Sequence, residues 1–255
     1  MKRVFVDPSA ITGDEIQLND KQQMNHLLHV LRMKKGDTIL VLDGAGMQYM
    51  SEISDETKNS VVLKIISSKP YKTTSKIAVT LFQGIPKGQK MDDIVRKSTE
   101  LGVHRIVPLE TARVISETNP GTFAKKTERF KRIAEEASKQ SQRGDIPEVS
   151  VPVSIAVAGG MISGKEFEFD LAILLYELED SLTLKQALRA VGSNSSIQER
   201  LNIALFIGPE GGFEESEAEL LKSCGAVSVT VGDTILRTET AGPAAIAMLS
   251  YEFDL

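Results

Sequence analysis

A chain of 255 residues, 41% of them hydrophobic, is long enough for one large or two modest domains with real cores. A single cysteine, Cys224, excludes an internal disulfide and fits a reducing compartment, and three histidines without a cysteine cluster leave no metal-site spacing. The net charge of −5 argues against nucleic-acid binding as a global property, but the charge is unevenly placed and local basic patches are what meet phosphates. Met1-Lys2-Arg3 leads into Val4-Phe5-Val6-Asp7, too short and too quickly charged for a signal peptide. No stretch approaches the ~20 apolar residues of a membrane span. The expectation is a soluble, cytoplasmic protein with no membrane partner and no metal.

Residues 1–69 read as a β-rich domain. Arg3–Val6 is a short strand, and Asn25–Met33 is expected as an amphipathic helix with Leu27, Val30 and Leu31 on its apolar face. Lys34-Lys35-Gly36-Asp37 turns the chain into a strand over Thr38–Leu42. Asp43-Gly44 signals a hairpin into Met47–Ile53, and Ser60–Ile66 supplies a further strand. Several short antiparallel strands in so little chain predict a small barrel. Ser67–Ser75, polar with one proline, reads as a linker.

The second domain, 70–255, opens with a buried strand over Ile77–Phe82 and a Gly/Pro/Lys-rich turn. A helix follows with Met91, Ile94, Val95 and Ser98 on one face, and then a strand over His104–Leu109. Strands alternating with helices predict a mostly parallel sheet. Between 123 and 143, Phe130, Ile133, Ala134 and Ala137 form an apolar stripe, with Lys125, Arg129, Arg132, Lys139 and Arg143 along another face and Gly144 and Pro147 as stops. That basic stripe fits either phosphate contact or a solvated face. Leu171–Tyr176 is another buried strand, and Val191–Arg200 a polar surface loop.

Ile203–Ile207 is a continuous apolar run of strand length that meets Gly208-Pro209-Glu210-Gly211-Gly212, where glycines permit positive φ or a close backbone approach. A helix, a second β-branched run over Val227–Val231, a polar loop at Leu236–Thr240 and a small-residue helix from Ala241 complete the chain, with Pro243 expected in that helix's first turn. Two loops leaving the same ends of neighbouring strands make a ligand crevice. As spacing alone, G-P-E-G-G is equally an ordinary strand-to-helix turn.

I-G-P-E-G-G-F at 207–213 and V-G-D-T-I-L-R-T-E-T-A at 231–241 resemble the signature loops of the SPOUT class of RNA methyltransferases, most closely the ribosomal RNA small subunit methyltransferase E family. The similarity spans the chain: H-L-L-H-V-L-R-M-K-K-G-D resembles that family's N-terminal PUA-like RNA-binding domain, and Gln140-Ser141-Gln142-Arg143 its E-Q-S-x-R pattern. Lys139 stands where that pattern carries Glu, so the role of that position does not transfer. The resemblance implies a PUA-like β-barrel, then an α/β domain with a mostly parallel sheet and a C-terminal trefoil knot. It further implies a homodimer acting with S-adenosyl-L-methionine on N3 of a uridine of 16S rRNA in the small ribosomal subunit.

Three segments are then expected around the cofactor. Leu175-Tyr176-Glu177 is one, and Ile207, Gly208, Pro209, Gly211 and Gly212 form the second. Leu236, Arg237, Thr238, Thr240 and Ala241 form the third, with Gly208, Gly211, Leu236 and Ala241 as the adenine wall and the threonines holding polar groups at the helix start. A positioned guanidinium suits developing negative charge on uracil carbonyls, which makes Arg237 a candidate catalytic residue. Glu210 and Glu239 lie near enough in sequence to be candidate bases or loop-ordering groups. RNA contacts are expected from Arg32, Lys34, Lys87, Lys90, Arg113, Arg129, Arg132, Gln140 and Arg143. Two other classes stay open: a ribose 2′-O methyltransferase, whose early N-x-G-x-x-x-R motif is missing here, and a non-catalytic RNA-binding factor. A nucleotide-phosphate binder is disfavoured, because there is no G-K-[ST] and a glutamate inside the turn repels phosphate.

Overall fold

A computed structural model of the chain describes all residues except 1, 58, 72–74, 114–119, 142, 165–166, 193–199 and 254–255, and leaves the side chains of 22, 26, 120–122 and 192 aside. Most of the expected loop over 191–200 therefore lies outside the described residues, as does 72–74 of the expected linker. Contacts divide the chain into two units, Met1–Thr73 with Ser138–Ile146, and Thr74–Ala137 with Pro147–Leu255.

In the first unit, β1 (Arg3–Phe5), β2 (Ile11–Thr12), β3 (Glu15–Leu18), β4 (Thr38–Leu42), β5 (Met47–Glu56) and β6 (Val61–Pro70) form one sheet in the order β1-β4-β5-β6-β3-β2. Only the β1–β4 pairing is parallel. The expected barrel is thus a six-stranded sheet whose end strands are β1 and β2. Ile16, Leu18, Ile39, Val41, Ile53 and Leu63 alternate inward and are fully or almost fully buried. The Asp43-Gly44 hairpin forms as expected: Asp43 Oδ1 accepts from the N–H groups of Ala45 and Met47 at 2.8 and 2.9 Å, and Gly44 and Gly46 take φ of 68° and 102°.

Two expectations fail in this unit. The helix starts earlier, as α1 (Lys21–Asn25), and then widens into a π-type turn over His26–Val30. More residues per turn rotate Val30 out to solvent while Leu27 stays buried, so the regular apolar face does not form. The stretch Ser67–Pro70, expected as linker, is strand, paired with Met47–Met50. Ladder hydrogen bonds need a partner strand, not apolar side chains, and the ten-residue β5 supplies one.

The second unit is built on a parallel sheet ordered β10-β8-β7-β12-β11-β13. Its strands are β7 (Ile77–Gly84), β8 (Arg105–Glu110), β10 (Val153–Ser154), β11 (Leu171–Leu175), β12 (Leu201–Ile207) and β13 (Val227–Val229), with β9 (Glu148–Val149) also on β8. Its helices are α2 (Lys90–Glu100), α3 (Pro120–Gln140, belonging to the first unit from Ser138 on), α4 (Ile155–Ser163), α5 (Leu184–Gly192), α6 (Glu215–Ser223) and α7 (Thr238–Phe253). Phe82 and Phe206, register partners on β7 and β12, stack at 4.5 Å between centroids and only 7° apart, within a core shared with Ile155, Ala158, Ala218 and Leu221 of α4 and α6. Leu81, pointing the opposite way from Phe82, meets α7 at Gly242, and α7 lies on α2. Thus β12 sits between β7 and β11, both of which precede it in the chain, while α7 returns from the β13 edge to β7.

Helix α3 stops at Gln140 instead of running to 143; Arg143 N–H turns back to the Ser138 carbonyl. The buried stripe of Phe130, Ala134 and Ala137 forms as expected. Helix α7 begins at Thr238, where the Arg237 carbonyl accepts from the N–H groups of Thr240 and Ala241 at 2.8 and 2.9 Å. Pro243 therefore lies inside the helix and not in its first turn. Phe206→Ala empties the centre of the stacked pair, and denaturant unfolding should show a loss of about 3–5 kcal/mol.

Candidate functional site

Register brings Gln83, Ile207, Leu175 and Val229 to one level across β7, β12, β11 and β13. The three segments expected around a cofactor therefore leave neighbouring strand ends, the usual place for a ligand crevice in an open α/β sheet. The turn after β12 is packed backbone to backbone. A Cβ on Gly84 would lie 2.5 Å from Pro209 Cδ, and one on Gly208 would lie 3.0 Å from Gly212 Cα. Gly212 has φ of 67° and donates its N–H to the Pro209 carbonyl at 3.0 Å. A Cβ there would collide with the Glu177 carboxylate, so the 175–177 and 208–212 segments touch.

Residues of the third segment join the same cluster. Thr238 is buried, and its hydroxyl donates to the Gly208 carbonyl at 2.6 Å. Gln83, absent from the residues expected at the site, donates from Nε2 to Thr238 Oγ1 at 2.9 Å and to the Gly84 carbonyl at 3.0 Å. One signal marks it: an amide side chain just before the glycine that ends a buried, mostly apolar strand. Ala241 is buried and Leu236 half-buried, while Arg237 and Thr240 are exposed. Among the described residues, the Arg237 guanidinium makes no hydrogen bond or ion pair. Leu175 and Tyr176 offer backbone: the Tyr176 ring is buried in the α4–α6 core with Lys222 Nζ 5.7 Å from its centroid.

Glu210 is held, not free. It accepts from the Lys87 N–H at 3.1 and 3.2 Å and from Lys90 Nζ at 2.8 Å, and Lys90 lies 3.9 Å from Glu239 Oε2. Partial burial pushes the Glu210 carboxyl up, but hydrogen bonds from Lys90 and backbone N–H groups outweigh it and hold it below the usual carboxylate range. Glu210 is thus a brace tying the turn to the start of α2. Glu239 Oε2 is buried and makes no hydrogen bond among the described residues. The acidic run beyond the turn opens α6, favourable at a helix N-terminus. Glu217 accepts from the Glu214 N–H at 2.9 Å and from the Ala112 N–H, past the end of β8, at 2.8 Å.

The basic candidates divide by engagement. In the second unit Arg113 donates to the Gly211 carbonyl, Arg129 pairs with Asp92, and Lys90 is spent on Glu210. Lys87 and Arg132 are exposed. In the first unit Arg143 pairs with Asp145 at 2.9 Å, Lys34 and Gln140 are exposed, and Arg32 is exposed with its backbone in the left-handed region at φ 52°. Among the described residues no three His, Cys, Asp or Glu side chains are grouped to hold a metal, and no helix is long and apolar enough to cross a membrane.

Backbone-lined strand ends beside an exposed Arg, with the central Thr238 hydroxyl engaged by Gln83 and Gly208, suit a group-transfer enzyme that aligns an already reactive donor. Comparison with known proteins gives the class. Residues 73–250 match a family model described as an RNA methyltransferase domain, and residues 13–66 one described as an RNA methyltransferase PUA domain. Ribosomal RNA small subunit methyltransferase E of Bacillus subtilis is 31% identical over 246 residues, 96% of this chain and 91% of that protein. Its namesake from Neisseria gonorrhoeae, solved bound to S-adenosyl methionine, superposes with a TM-score of 0.79 at 28% identity, covering 99% of this chain and 98% of that one. A putative methyltransferase of Legionella pneumophila, in complex with the same cofactor, gives 0.78 at 28% identity over 98% and 96% of the two chains. The chain belongs to the ribosomal RNA small subunit methyltransferase E family.

Beside the site, Glu179 orders the loop after β11. Hydrogen bonds from the Ser181 hydroxyl and N–H, opposed by burial and helped by the Leu182 N–H, lower its pKa from 4.5 to about 2. A depressed carboxyl stabilises the fold above its unfolded pKa and loses that contribution as pH falls through the folded one. Chemical denaturation of Glu179→Gln beside the unaltered protein should show a stability gap that is constant above about pH 4.5 and closes towards about pH 2.

Proposed function

We propose that this protein methylates N3 of a uridine in 16S ribosomal RNA, on the small ribosomal subunit, using S-adenosyl-L-methionine. The observation that carries the reading is the convergence of 175–177, 207–212 and 236–241 at one end of a parallel sheet. Membership of the family and the cofactor-bound relatives supply the chemistry. The reading includes a trefoil knot, supported by the insertion of β12 between two earlier strands and by the return of α7 to β7. It also includes a cytoplasmic homodimer, for which the exposed Met248 and Tyr251 on α7 offer an apolar face.

The residues present fit the cofactor. Gly84, Gly208 and Gly212 have no room for side chains, so the strand ends present bare backbone, which reads an adenine by N–H and C=O at close approach. Gly208, Gly211, Leu236 and Ala241 form that wall, with Ile207, Pro209 and Gly212 shaping the turn behind it. Leu175 and Tyr176 add main chain, Glu177 adds a carboxylate, and Thr238 and Thr240 open α7. When bound, the cofactor supplies a methyl group already activated by its sulfonium. The chain's own work is therefore to bind, to orient and to manage one proton and one developing charge.

N3 of uridine is an imide nitrogen and must lose its proton. Arg237, exposed and unengaged among the described residues, stabilises negative charge on the uracil carbonyls. Glu210 contributes through Lys90 by fixing the turn, since its depressed pKa disfavours proton uptake. Glu239, with a buried oxygen that accepts no hydrogen bond among the described residues, is the better placed acceptor. Arg32, Lys34, Lys87, Arg132 and Gln140 meet RNA directly. Lys90, Arg113, Arg129 and Arg143 reach phosphate only by exchanging a present partner.

The test is to incubate the purified protein with labelled cofactor and either small subunits or bare 16S rRNA lacking its own modification, then map the product by reverse transcription. A stop at one uridine is expected, because a methyl on N3 blocks the pairing edge. Label without a stop would move the reading to ribose methylation, and no label would leave a binding protein. Arg237→Ala should lower kcat about 100-fold while cofactor binding persists.

A further inference from the structure

Gln83 is wholly buried at the last level where β7 pairs with β12, and with Thr80 it is one of two buried polar residues in that strand. Its amide nitrogen serves two acceptors, the Gly84 carbonyl at 3.0 Å and Thr238 Oγ1 at 2.9 Å. The Thr238 hydroxyl spends its one proton on the Gly208 carbonyl at 2.6 Å. The sense of every bond is forced. A carbonyl cannot donate, so the threonine proton faces Gly208 and only a donor can face the threonine. The orientation leaves Gln83 Oε1 buried with no hydrogen bond among the described residues, beside Gly242 of α7. An unpaired buried acceptor is costly, so filling this position with an amide needs a return elsewhere.

We infer that Gln83 is a positioning residue, which acts through the Thr238 hydroxyl to fix the Gly208 carbonyl, and with it the 208–212 turn, against the start of α7. The inference rests on the proposed reading of these two segments as walls of one cofactor site. Three pieces of chain far apart in sequence, the end of β7, the turn after β12 and the first residue of α7, are linked by hydrogen bonds in series. Such bonds polarise one another in a buried setting, so the link acts as a unit. Van der Waals contact alone would let the turn slide over Gly84, which has no side chain to stop it. Breaking either bond leaves the core intact and changes the spacing of the walls.

The full-length protein is tested by calorimetric titration with S-adenosylmethionine, alongside thermal melting. Thr238→Val keeps the shape and removes the hydroxyl; Thr238→Ser keeps the hydroxyl. Gln83→Glu keeps the shape but presents a carboxylate to two acceptors. Thr238→Val and, at about pH 8, Gln83→Glu each remove two of these buried hydrogen bonds and should bind at least about tenfold more weakly. Thr238→Ser should stay within about twofold. Burial raises a carboxyl's pKa, so Gln83→Glu should regain affinity on lowering the pH to about 6, where a neutral acid donates one bond again. A packing role alone would give no such pH dependence. Unaltered affinity in Thr238→Val, equal losses in the valine and serine variants, or a pH-independent Gln83→Glu would overturn the inference. Absence of binding by the unaltered protein would instead overturn the site reading on which it rests.

Discussion

The end of the parallel sheet where the three loop segments meet depends on one constraint: the chain after β12 must lie directly on the end of β7. Gly84 makes that possible, since a Cβ there would sit 2.6 Å from the backbone nitrogen of Pro209. Once the two main chains are in contact, the turn has little freedom. Proline fixes its own φ, Gly212 takes the left-handed conformation, and the Thr238 hydroxyl holds the Gly208 carbonyl from the other side. Helix α7 is thereby located by the turn as much as by its own packing. The cost of an internal proline in α7 is accepted in a helix already anchored at its first residue.

The acidic net charge is compatible with a polyanionic substrate because the acids near the site are spent locally. Glu217 closes the first turn of α6 and reaches the exit of β8, and Glu210 is neutralised by Lys90. Such pairs are worth little as isolated surface bridges. Their effect here is positional: Glu210 ties the turn to the N-terminal end of α2 at both Lys87 and Lys90. Several basic positions are likewise occupied by protein partners, so a count of Lys and Arg along a helix overstates the charge on offer.

Strands β7, β8, β11 and β12 were legible because buried parallel strands read as unbroken apolar runs, and the parallel sheet followed from their alternation with helices. Helix α4 was not, since Ile155–Ser163 is apolar with two adjacent glycines and shows no polar face; Gly159 exists to let Cys224 approach, a tertiary demand. Helix α5 was legible and missed. Thr183 and Gln186 form a capping box, with the Thr183 N–H 2.9 Å from Gln186 Oε1, and Leu184, Ala187 and Leu188 follow at helical spacing. The widened turn after α1 and the extension of β6 to Pro70 depended on partners elsewhere in the chain, which local pattern cannot report.

Within the site the sequence marked the loops but not their bonding. Three glycines announce close approach without saying to what, and the answer, Gly84 and Glu177, lies on two other segments. The threonines at the start of α7 look like ligand-facing hydroxyls, yet only Thr240 is exposed; Thr238 is turned inward and saturated by Gln83 and Gly208. The arrangement has a chemical logic. A site that reads its ligand by backbone groups gains precision only if the backbone itself is immobile, and main chain at a strand end is held by no ladder. In the site proposed above, side chains at the start of α7 are used to hold main chain in place, and the polar residue turned inward, Thr238, is engaged by protein on both sides.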